Sequence, residues 1–190
     1  MTAVPDDERA RAKQAFFDAV PGDAQAVERS RKLWQIAYDD DGQNTEAAAY
    51  LGASTVLAAA HARWPWDKGN LAKQGMALLD RAVAEQPENL EVRFLRGMTN
   101  YRLPGFLGRT KLATEDLQIV AGRAQAAADS GDLPRPLAAA ALYHYGLLLE
   151  GRGDRAAAAA SFREAGEVGP DTPGGRAAAG RLAAAAAESP

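Results

Sequence analysis

Between residues 142 and 170, small and large side chains recur at intervals that suit a pair of close-packed helices. Gly146, Ala158 and Ala165 are small, Leu149 is large, Phe162 is aromatic, and Pro170 follows. Small residues let two antiparallel helix backbones approach closely, and the large ones fill the space between them. Pro170 has no N–H to donate and stops the second helix.

The rest of the chain reads the same way. No segment shows strand-like alternation, while helical spacing recurs from end to end. The pattern predicts nine helices, at about 6–20, 24–38, 45–62, 68–85, 89–102, 109–129, 134–151, 154–168 and 174–187. Pro5 and the acidic run Asp6-Asp7-Glu8 supply start chemistry for the first helix. Pro21-Gly22 ends it and Asp23 caps the second. Asp39–Gly42 and Ser130-Gly131-Asp132 read as turns, Leu103–Gly108 as a loop, and Asp154 as the start of the eighth helix. The expected buried stripes include Val27, Ser30, Trp34 and Ala37 on the second helix. On the third they are Tyr50, Ser54, Leu57 and His61.

The unit at 137–170 resembles a tetratricopeptide repeat, a helix-turn-helix of roughly 34 residues. The likeness continues upstream through Gly97, Ala113, Leu117 and Val120, and then through Leu51, Gly52, Gly75, Leu79, Ala82 and Pro87. The first hairpin fits by helix pattern alone. The stretches WPWDKGNLAKQGMALLDRAV and PENLEVRFLRGMTNYRLPGFLGR look like a bacterial tetratricopeptide family. The resemblance implies one all-α domain over 1–190, a right-handed α-solenoid of antiparallel hairpins. Its Ala-rich final helix at 174–187 would serve as the cap. It also implies an adaptor that binds proteins, and carries no catalytic residues with it. The chaperone-binding members of that family hold a carboxylate with Lys and Asn. Here the matching positions are Glu91, Phe94 and Met98.

Little catalytic chemistry is available. The chain has no cysteine and two histidines, His61 and His144, so neither thiolate nor His-rich metal chemistry is expected. A net charge of -3 argues against a general nucleic-acid binder. Gly105–Lys111 has neither the spacing nor the preceding strand of a phosphate loop. Arg109 and Lys111 could still draw an anion to a helix start, against the plainer reading that the glycines only shape the turn. Acidic pairs such as Glu115-Asp116 do not suggest a cleft. The expectation is therefore a non-enzyme without cofactor or metal. The amino-terminal residues lack the basic and apolar regions of a signal peptide, and the alanine runs at 156–160 and 183–187 are too short to span a bilayer. A cytoplasmic setting is expected.

Two features remain as binding candidates. Trp64-Pro65-Trp66-Asp67-Lys68 reads as an inserted loop whose rings either bind a partner or fold back as a plug. If the fifth helix begins a repeat, Phe94, Met98 and Tyr101 face a groove rimmed by Arg93, Arg96 and Arg102, with Tyr143 and Leu147 at the matching face of the last repeat. Such a groove suits an extended or helical peptide of some acidic character, although packing between repeats consumes aromatics too. A protein or peptide partner is the first expectation. The alternatives are a small apolar ligand carried in the superhelix and a homo-oligomer.

Overall fold

The computed structural model describes residues 6–187, all helix and turn. Ten α-helices follow one another among the described residues: α1 (Asp6–Ala19), α2 (Ala24–Asp40), α3 (Thr45–His61), α4 (Pro65–Glu85), α5 (Leu90–Arg102), α6 (Thr110–Ala121), α7 (Ala124–Ser130), α8 (Arg135–Gly151), α9 (Arg155–Val168) and α10 (Pro173–Ala187). Pro5 lies outside the described residues. Helices pack mostly against their sequence neighbours, as antiparallel pairs joined by short turns. The chain divides into two compact units, with the boundary between Thr99 and Asn100, inside α5.

Side-chain caps set several helix starts. Asp23 accepts from the Ala26 N–H at 2.7 Å, Asn44 from Ala47 at 2.9 Å and Asp154 from Ala157 at 3.1 Å. Each side chain satisfies a donor that the helix itself leaves open.

In the first unit α3 is the central helix, packed by α1, α2 and α4. Every residue from Ala47 to Thr55 is buried, so α3 carries no polar face there. Its closest approach is to α4, through Gly52 and Gly75. A Cβ added to Gly52 would lie 2.8 Å from the Gly75 carbonyl oxygen, and one on Gly75 would collide with that of Gly52. Tyr50 fills the centre. Its ring stacks on Trp34 at 4.4 Å and meets Phe16 edge-on at 5.1 Å. Its hydroxyl donates to Glu91. The Glu91 carboxylate also accepts from Lys13 at 2.7 Å, and Lys13 reaches Glu46 at 2.7 Å, tying α1, α3 and α5 together. Burial, and then Glu91 beside it, push the Tyr50 phenol far above its ordinary pKa. Trp34 donates its ring N–H to the Ala12 carbonyl at 3.2 Å, and Ser30 bonds Ser54 at 2.8 Å, so the buried polar atoms here are satisfied.

In the second unit α8 takes the central place, touching α6, α7, α9 and α10. Its Gly146 lies under the Phe162 ring of α9, and Ser161 bonds the Leu142 carbonyl at 2.8 Å. Gly174 and Gly175 let α10 start against backbone atoms of Ala139, Ala140 and Gly169, with no room for a Cβ at either position.

Three expectations change. The helix expected at 109–129 is two, because the chain turns at Gly122-Arg123, where the Arg123 N–H bonds Val120 rather than continuing the ladder. The turn lets α7 bury Ala124, Ala127 and Ala128, and Leu133, fully buried, pins its end. His61, expected in the core, is exposed in the last turn of α3. Trp64-Pro65-Trp66 is no inserted loop. Pro65 takes the first position of α4, where its fixed φ suits a helix start and its missing N–H costs nothing.

Candidate binding surface

Trp64 and Trp66 stand at the start of α4, 48% and 62% exposed. Their rings stack with centroids 5.0 Å apart and planes 8° from parallel. Trp64 is the N-cap residue and Trp66 sits in the first turn, so a 21-residue helix holds the pair in place. The Arg63 guanidinium lies 5.5 Å from the Trp64 ring centroid, within cation–π range. The third tryptophan, Trp34, is core.

The expected groove residues of the first unit differ in exposure. Phe94 is 6% exposed, a correction to its expected place on an open face. Leu90, Val92 and Leu95 around it are buried as well, so Phe94 belongs to the packed side of α5. Met98 is half-buried.

In the second unit Tyr101 and Tyr143 come together on either side of His144, with ring centroids 5.1 and 5.2 Å from the imidazole. Tyr143 also leans on Phe162 at 5.8 Å, and Leu147, one turn further along α8, is half-buried. Inside this cage His144 Nδ1 has no hydrogen-bond partner. Burial, with the Arg102 charge behind it, lowers the His144 pKa to about 4, so the ring is neutral near pH 7.

Arg109 and Lys111 are engaged within the chain. Arg109 donates to Asn100 at 3.1 Å, and Lys111 lies 3.6 Å from Glu115. Phe106 is a residue that sequence spacing does not single out. It projects 87% exposed from a 3-10 turn at Gly105–Leu107. The available signal is its setting between Pro104-Gly105 and Gly108, which leaves the ring no long helix to pack upon. Among the described residues no three His, Asp or Glu side chains gather where they could hold a metal ion, and no helix is long and apolar enough to cross a membrane.

These features define an all-helical protein of sequentially packed hairpins with an exposed aromatic pair. The chain matches no family model, no curated protein and no solved structure.

Proposed function

We propose that this chain is a non-enzymatic adaptor, a solenoid of tetratricopeptide-like hairpins whose Trp64–Trp66 pair docks a segment of a partner protein. The stacked, exposed pair carries this reading. Tryptophan is enriched among the residues that dominate binding energy, because one ring buries a large area and keeps a polar N–H. Mounted on a helix, the pair loses little freedom when a partner arrives. Close approach at Gly52–Gly75 and at Gly146–Phe162 supports the repeat-like architecture, since both occur where such hairpins put their small residues.

The test compares the intact protein with Trp64→Ala/Trp66→Ala. Proteins retained from a lysate of the source cells are identified, and the affinity of a purified partner is measured on both. Loss of about 2 kcal/mol or more in affinity is expected, with the thermal midpoint unchanged. Preserved binding with a lowered midpoint would mean that the rings serve packing alone, and the docking role would be withdrawn.

A further inference from the structure

The cations beside the tryptophan pair in sequence differ from those of α1 and α2. Every arginine and lysine of α1 and α2 lies within ion-pair distance of a carboxylate. Arg63, Lys68 and Lys73, all exposed, have no ion pair among the described residues. Between residues 61 and 73 the only carboxylate is Asp67, so positive charge gathers here in a chain of net charge -3.

Their positions relative to the rings are set by the helix. Arg63 lies over Trp64. Lys68 is one turn beyond Trp64, its N–H bonded to the Trp64 carbonyl at 3.1 Å. Lys73 follows Trp66 by seven residues, two turns along the same face. Helical side chains lean toward the N-terminus, the end of α4 at which both rings stand. An apolar ring surface is thus flanked by cations that form no ion pair among the described residues.

We infer that the segment docked on this pair is acidic, a run of Asp and Glu around one apolar anchor residue; this rests on the docking role proposed above. The anchor covers the exposed ring surface while carboxylates meet Arg63, Lys68 and Lys73. A nucleic acid fits less well. Three cations neutralise few phosphates, the whole chain repels a polyanion, and the facing sides of the two rings are closed on each other at 5.0 Å.

The test selects a displayed library of random 12-residue peptides against the full-length chain and, in parallel, against Trp64→Ala/Trp66→Ala. The peptide most enriched on the wild type is then synthesised and titrated. Expected is a set rich in Asp and Glu that the tryptophan variant does not retain. Its affinity should fall about tenfold or more in Lys68→Glu/Lys73→Glu, and fall with added salt. Circular dichroism checks that the variants keep their helices, and Lys68→Gln/Lys73→Gln should give a smaller loss in the same direction. Neutral or basic peptides that still require the tryptophans would overturn the acidic assignment and leave the docking role standing. Acidic peptides indifferent to the lysine changes would overturn it too, as would displacement of the peptide by a 12-nucleotide oligothymidine at lower concentration. No enrichment over the tryptophan variant would remove both proposals.

Discussion

Gly146 of α8 and Phe162 of α9 are packed so closely that a Cβ on the glycine would lie 2.5 Å from Cε1 of the ring. Phe162 is itself buried, so the ring has little room to move aside. Gly146→Ala improves helix propensity by about 1 kcal/mol, yet overpacking costs about 1–3 kcal/mol. A lowered urea midpoint is expected, partly restored by Phe162→Leu in the double variant. Gly75→Ala should be worse, because its Cβ meets the Gly52 carbonyl, and backbone cannot rotate away as a side chain can.

The network around Glu91 predicts an order of effects. Tyr50→Phe removes one donor and leaves Glu91 paired with Lys13, costing about 1–2 kcal/mol. Lys13→Met removes the cation that Glu91 and Glu46 share, leaving Glu46 its Arg9 partner and Glu91 the neutral Tyr50 hydroxyl, a loss of about 3 kcal/mol or more. Equilibrium denaturation at pH 7 checks the order. Equal losses would show that Lys13 does not link the two carboxylates energetically.

His144 makes stability depend on pH. In the folded chain it stays neutral down to about pH 4, whereas in the unfolded chain it takes up a proton near its ordinary 6.5. Between those values the unfolded state binds more protons, so stability falls as pH drops from 6.5 toward 4. Above pH 6.5 both states are neutral and this contribution is constant. His144→Leu should flatten the loss between pH 7 and 4.5 by on the order of 2 kcal/mol, read from urea midpoints at the two pH values.

The three tryptophans should separate in stability and in fluorescence. Trp34→Ala removes a stacked, hydrogen-bonded core ring and is expected to cost about 3–5 kcal/mol. Trp64→Ala/Trp66→Ala should change stability by about 0.5 kcal/mol or less. The emission left in that variant should be blue-shifted, since only the buried Trp34 remains. Red-shifted residual emission would count against a buried Trp34.

Much of this architecture was legible before folding because its causes are local. Asp23 and Asp154 cap helices from within three residues, Pro and Gly pairs end them, and the periodic small residues at Gly52, Gly75 and Gly146 mark where helices cross. The break at Gly122-Arg123 was not legible, because a single glycine is tolerated in a helix unless the core on either side pulls its two halves in different directions. Pro65 was ambiguous for a related reason: a proline suits a loop and the first turn of a helix equally well.

For the candidate surface the division runs through individual residues. Residue type alone singled out Trp64 and Trp66, since two large rings two positions apart are conspicuous wherever they end up. Their exposure, their stacking and the absence of ion pairs at Lys68 and Lys73 among the described residues depend on which side chains the rest of the chain brings near them. Phe94 and His61 make the same point from the other side, the one buried where a groove was expected and the other exposed where core was expected. Helical periodicity names the residues that share a face. It cannot say whether a neighbouring element covers that face, because burial belongs to the packing of whole helices and not to the spacing along one of them.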